Sequence, residues 1–219
     1  MAIKKESTAK LQGVPETLMI TLYGRYTEQS YPDCILKDEK AVEIAEKVDY
    51  DFSKYAQGWS SQVGTVIRAK NIDNLLIKFL TNHPQATVIN LGGGLCTRFF
   101  RIDNGEVNWY EVDFPEVIEL KEKLLEQSNR YHLIASSILE PDWIKQINPD
   151  VNKPLFLIME GVLMYLTQED NKALFTQIKT MLAPKFAPIT VVFDILNKKS
   201  AASAKRHDTV SKTNAEFKW

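Results

Sequence analysis

Cysteine is scarce: Cys34 and Cys96 are the two in 219 residues, and they are too far apart for any metal-ligand spacing. That excludes a disulfide-stapled secreted scaffold and points to a reducing compartment. An excess of charge of either sign is also missing. The 27 basic and 28 acidic residues leave a formal net charge of −1. Such a chain has no electrostatic footprint for a nucleic-acid backbone or an anionic membrane. Long apolar runs are absent too. The longest, PLFLIMEGVLMYL, carries Glu160 in its middle and is too short to span a bilayer. The N-terminus, MAIKKESTAKLQG, lacks the apolar segment of a signal peptide. The chain therefore reads as cytoplasmic, with neither nucleic acid nor membrane as a partner. No internal repeat or low-complexity tract interrupts it, and oligomeric state leaves no mark.

What is present is an ordinary core. Hydrophobic content of 44% and charged content of 25% suit one compact domain with decorations. Residues 1–13 are polar and read as frayed, and 14–38 as short helices broken at Pro32. Glu39 to Val48 reads as a helix with Ala41, Val42, Ile44 and Ala45 on its apolar side. The spacing predicts a longer helix over 59–82, with Ile72, Leu75, Leu76, Phe79 and Leu80 as its buried stripe. From there apolar runs alternate with helical stretches. ATVINL, VNWYEV, YHLIAS, PLFLIME and ITVVFDIL read as five strands. The helix after the fourth has Thr167 as its cap, with Glu169 and Asp170 in its first turn. Strands apolar on both faces and alternating with helices predict an α/β fold: a doubly wound, mostly parallel sheet covered on both sides.

The chemistry gathers at strand ends. In VINLGGGLCTRFFR a strand runs into glycines and then a helix, which puts backbone N–H groups at the sheet edge where ligands bind in doubly wound folds. Gly92 and Gly94 can take backbone shapes closed to other residues and let a ligand approach the main chain. The dinucleotide fingerprint needs a further glycine where this chain has Thr97, which weakens a nicotinamide reading. Asp113, ending the second strand, stands where a ribose-binding acid belongs. The bland alternative is a turn at Gly92–Gly94 and a helix-capping Asp113. Glu160 ends the buried fourth strand, where an unpaired carboxylate is costly. It either pairs with an arginine such as Arg68 or faces a cationic centre or amino group in a pocket, and the two are compatible.

These stretches, VINLGGGLCTRFFR, YEVDFPEVIELK and EGVLMYLTQED, together with GVPETLMITLYGRYTEQSYPD upstream, resemble the leucine carboxyl methyltransferase family. Within it, the likeness is to the bacterial tetracenomycin-type polyketide O-methyltransferases, from about Val14 to the end. The resemblance implies a class I, Rossmann-like methyltransferase dependent on S-adenosyl-L-methionine, with a small-molecule acceptor and no metal. It implies an N-terminal helical lid over 1–58, a cofactor-binding core over 59–196 and a polar tail over 197–219. Carried over by motif, Gly92 and Gly94 approach the methionine part, Arg68 meets its carboxylate, Asp113 holds the ribose and Glu160 contacts the amino-acid end. Ser137 and Ile138 stand where the adenine is held, with serine in place of the usual acid. Arg25 matches a basic residue of the lid, against the alternative of a solvated arginine. Tyr165 stands near the acceptor, against the alternative of a core tyrosine. Cys96 replaces an acid and reads as packing. His83 and His132 read as structural, whereas His207 in the polar tail is the histidine able to reach an acceptor, and no catalytic base is assigned. The family's sheet has seven strands ending in a hairpin, and this chain ends at Trp219 before it, which reads as a truncated form. A methyltransferase-fold nucleoside binder without turnover is the rival expectation, and a Rossmann oxidoreductase the third.

Overall fold

The computed structural model describes residues 5–148, 150, 153–197 and 207–218. Helix α1 (Leu18–Glu28) follows a 3-10 turn at Pro15–Thr17. Helix α2 (Glu39–Lys47) starts at Asp38, whose side chain accepts from the Ala41 N–H. The expected frayed start is corrected in part. Strand β1 (Glu6–Ser7) pairs in parallel with β2 (Val48–Asp49), and the Thr8 hydroxyl ties to the Asp49 carbonyl. Leu11 is buried there, so the polar run carries one apolar anchor that periodicity does not reveal.

Helix α3 (Trp59–Asn82) has the expected ends. Ile72, Leu76 and Leu80 of the expected stripe are buried, but Leu75 is 52% exposed and Asp73, 4% exposed, is buried in its stead. The reason is electrostatic. Asp73 faces Arg98 and Arg101, and burying that paired carboxylate turns the helix enough to expose Leu75.

All five strands form: β3 (Thr87–Leu91), β4 (Asn108–Asp113), β5 (Tyr131–Ala135), β6 (Leu155–Met159) and β7 (Ile189–Phe193). They make one parallel sheet in the order β5-β4-β3-β6-β7. Between them run α4 (Arg98–Ile102), α5 (Pro115–Leu124), α6 (Asp142–Gln146) and α7 (Gln168–Gln177). The Thr167 cap is a full capping box with Asp170.

Because side chains alternate along a strand, the sheet feeds two cores. Val88, Trp109, Phe156 and Ile158 pack with α1, α2, α3 and α5. Ile89, Val112, Leu157 and Met159 pack with Trp143 of α6 and Leu174 of α7. Helices thus cover both faces, as the doubly wound class requires. The strand order reverses between β3 and β6, and ligand crevices open at that switch point, beyond the carboxyl ends of the strands. No helix among the described residues is long and apolar enough to cross a membrane.

Candidate functional site

A cavity of about 850 Å³ lies at that edge. Its wall brings together every residue that the resemblance assigned to the cofactor or the acceptor: Arg68, Gly92, Gly94, Asp113, Ser137, Ile138, Glu160, Arg25 and Tyr165. The glycine loop comes straight off β3. Gly94 takes a left-handed backbone with φ +52°, and a Cβ there would meet the Leu18 Cβ at 2.8 Å. The Gly94 N–H donates to Asp113 Oδ2 at 2.7 Å, and the Phe114 N–H donates to Oδ1 at 2.8 Å. Asp113 therefore ties the loop of β3 to the start of α5. Burial outweighs those two donors and pushes its carboxyl up to about 6.

Glu160 follows β6. Oε1 accepts from Arg68 Nε at 2.9 Å and Oε2 from Arg98 Nη2 at 2.7 Å. Burial raises its carboxyl, but the Arg98 and Arg68 guanidiniums prevail and hold it at about 2. Glu160 thus pairs with Arg68, as one sequence reading expected, and it also borders the cavity.

Those pairs belong to a longer array. Arg25, Asp38, Arg101, Asp73, Arg98, Glu160, Arg68 and Asp194 alternate in sign, each within 3.0 Å of the next. The array runs from α1 across α4 and α3 to the ends of β6 and β7. Burial pushes the Asp38 carboxyl up, but Arg25 and Arg101 turn the balance and leave it below the usual carboxylate range. Thr97, standing where a dinucleotide fold has its further glycine, is fully buried in this array. It accepts from Arg25 and Arg101 and donates to Asp38.

Arg25 is not a solvated surface arginine: it is 4% exposed. Its guanidinium donates to Thr21 O, Leu95 O, Thr97 Oγ1 and Asp38 Oδ2. Ser137 Oγ accepts from the Leu139 N–H at 3.3 Å, and the Ile138 carbonyl accepts from Trp143 Nε1 at 3.2 Å. Tyr165 packs against Phe217 with ring centroids 5.5 Å apart, and burial raises its phenol.

Of the expected polar tail, residues 198–206 and Trp219 lie outside the described residues. Of the part described, Asn197 and 207–218, His207, Asp208, Thr209, Val210, Phe217 and Lys218 border the cavity. Asp208 pairs with the Ser61 hydroxyl, Thr209 donates to Ser61 Oγ at 3.0 Å, and the Lys218 N–H donates to Met164 O at 2.9 Å. His207 borders the cavity with Nδ1 3.3 Å from Asp208 Oδ1. His132 instead stacks on Tyr110, and His83 lies against Phe79 at the end of α3.

Sequence reasoning did not assign Asp38, Asp73, Arg98, Arg101, Asn90 or Asp194. Asn90 borders the cavity, and its Oδ1 is buried with no partner among the described residues. Asp194 had one available signal: like Glu160, it follows directly on an apolar strand.

Comparison with known proteins gives concordant matches. The family model described as leucine carboxyl methyltransferase matches residues 19–179. The tetracenomycin polyketide synthesis O-methyltransferase TcmP of Streptomyces glaucescens is 33% identical over 213 residues, 97% of this chain and 77% of that protein. The S-adenosyl-L-methionine-dependent methyltransferase dpfgK of Gibberella zeae is 28% identical over 184 residues, 77% of this chain and 61% of its own length. Leucine carboxyl methyltransferase 1 of Debaryomyces hansenii is 26% identical over 170 residues, 60% of this chain and 46% of its own length.

Proposed function

The chain belongs to the leucine carboxyl methyltransferase family, and from that premise we propose that it moves a methyl group from S-adenosylmethionine to an oxygen of a small, polyketide-like acceptor, either a carboxylate or a hydroxyl. The observation that carries the reading is one continuous cavity with chemically distinct ends. Asp113 and the glycine loop stand at one part of its wall, Arg68 and Glu160 at another, and Tyr165, His207 and Phe217 at a third.

The residues present suit S-adenosylmethionine. Asp113 accepts from ribose hydroxyls once it is ionised. Ser137 and Ile138 flank the adenine, and Glu160 and Arg68 oppose the ammonium and carboxylate of the amino-acid end. The orphaned Asn90 Oδ1, buried on the cavity wall, is what a wall shaped around a polar ligand would leave. Bound there, the cofactor supplies an already activated methyl group on a sulfonium. What remains for the chain is to align an oxygen with that carbon and exclude water, and positioning of this kind lowers a barrier by about 7–11 kcal/mol when near-ideal. Arg25 and Tyr165, with the described part of the 1–58 segment as a lid, belong to the acceptor side. A carboxylate acceptor needs no general base, whereas a hydroxyl acceptor would draw on His207. The scarcity of cysteine and the near-zero net charge support action in a reducing cytoplasm on a small molecule rather than on nucleic acid.

The test is transfer of a labelled methyl group from S-adenosylmethionine to a panel of aromatic carboxylic acids and phenols. Label that alkaline hydrolysis releases marks a methyl ester, and label that survives marks an aryl ether. Cofactor binding with no transfer across the panel would remove the claim of turnover, and absence of cofactor binding would remove the whole reading.

A further inference from the structure

Glu160 and Asp194 occupy equivalent places on neighbouring strands. Met159 and Phe193 are the last register partners of β6 and β7, and each is followed by a carboxylate. Like charges side by side at a sheet edge repel. Arg68, reaching across from α3, answers both: Nε donates to Glu160 Oε1 at 2.9 Å and Nη1 to Asp194 Oδ2 at 3.0 Å. The other Asp194 oxygen accepts from the Gly161 N–H at 2.6 Å.

A guanidinium is a planar fork with five N–H donors in fixed directions. With Nε and Nη1 engaged, Nη2 has no hydrogen-bond partner among the described residues. A Cβ on Gly161 would lie 3.3 Å from Nη2, so the glycine leaves that edge uncovered. Arg68, Glu160 and Gly161 border the cavity, and Asp194 is not among the residues that do. It stands behind the arginine and the glycine rather than in the ligand's place.

We propose that Asp194 is a positioning residue for recognition of the cofactor's carboxylate. By holding Arg68 Nη1 and the Gly161 N–H together, it fixes the plane of the guanidinium and presents the Nη2 edge to the cavity. The inference rests on the reading of Arg68 as the carboxylate partner and adds to it the group that aims it. A long, flexible side chain without this clamp would lose rotamer freedom on each binding event, which weakens a contact that depends on the direction of one N–H group more than a diffuse one.

The experiment measures affinity of the full chain for two ligands by calorimetry: S-adenosylmethionine, and decarboxylated S-adenosylmethionine, which lacks only the carboxylate. In the parent chain the first binds more tightly. Asp194→Asn is expected to weaken S-adenosylmethionine about tenfold and to leave the decarboxylated ligand within about twofold, because one carboxylate-specific contact is worth roughly that factor. Should that variant fail to fold, Asp194→Ser is read by the same ratio. Equal weakening of both ligands would reduce Asp194 to a structural residue, and tighter binding of S-adenosylmethionine would make it a competitor for Arg68. Either result overturns the proposal. A parent chain that binds neither ligand would instead sink the cofactor reading itself, and the inference with it.

Discussion

Replacing Gly93 by alanine tests how rigid the floor beneath the glycine loop is. Gly93 needs no left-handed backbone, so the added methyl is the whole perturbation. Its Cβ would lie 2.3 Å from Asn90 Nδ2 and 2.4 Å from Glu111 Oε2. Neither atom is a free end. Asn90 and Glu111 are each 1% exposed and are bonded to one another at 2.9 Å. Glu111 also accepts from Trp109 Nε1 at 2.7 Å and sits 3.0 Å from the buried Lys121 Nζ. Relief therefore demands a shift of about 1 Å that breaks a hydrogen bond to a charged group, costing about 1.5–3 kcal/mol. Overpacking adds about 1–3 kcal/mol. A total near 4 kcal/mol lowers the Tm of a chain this size by about 8–16 °C. Gly105→Ala is the control: with φ +81° and nothing within 4 Å, it carries left-handed strain alone, about 1–2 kcal/mol. Urea denaturation followed by far-UV circular dichroism compares the two. A Gly93→Ala chain no less stable than Gly105→Ala would refute the claim that the cluster is fixed.

Two further outcomes concern charge. Burial raises the Asp113 carboxyl from 3.8 to about 6, so the folded chain holds a proton that the unfolded chain has released. The stability this gives in acid is lost as pH rises from about 4 to about 6, on the order of 3 kcal/mol, and Asp113→Asn should flatten that slope in denaturation curves taken across the window. S-adenosylmethionine affinity should climb by about tenfold between pH 5 and pH 7, across the folded-state value of about 6, because the ionised carboxylate is the form that accepts from ribose hydroxyls. An affinity independent of pH would count against Asp113 as the ribose partner. Glu160 has the opposite sign: lowered from 4.5 to about 2 by Arg98 and Arg68 against burial, it stabilises the fold above about pH 4.5 and loses this as pH falls toward 2. Glu160→Gln removes a carboxylate shared by two arginines that keep Asp194 and Asp73 as partners, and should cost about 1.5–3 kcal/mol at neutral pH, read by the same denaturation method.

The five strands and both ends of α3 were legible because apolar runs and helical spacing are local signals. The site was legible where strand ends carried the chemistry. In a parallel sheet those ends converge at one edge, so Gly94, Asp113 and Glu160 meet although they are distant in sequence. The charge array was not legible. Arg101 meets Asp38 across 63 positions and Asp73 across 28, and no spacing rule links such partners. The same blindness misplaced Leu75, since only the buried arginines explain why Asp73 faces inward. Among the glycines, the sequence drew attention to Gly92 and Gly94, while the tightest contact falls on Gly93, whose neighbours Asn90 and Glu111 come from adjacent strands.

The most direct test of the account is a crystal structure of the chain with S-adenosylmethionine bound. The account predicts ribose hydroxyls on Asp113, the adenine beside Ser137 and Ile138, the ammonium on Glu160 and the carboxylate on Arg68. The methyl group should point toward Tyr165 and His207. A cofactor bound in the reverse sense, or outside this cavity, would contradict it.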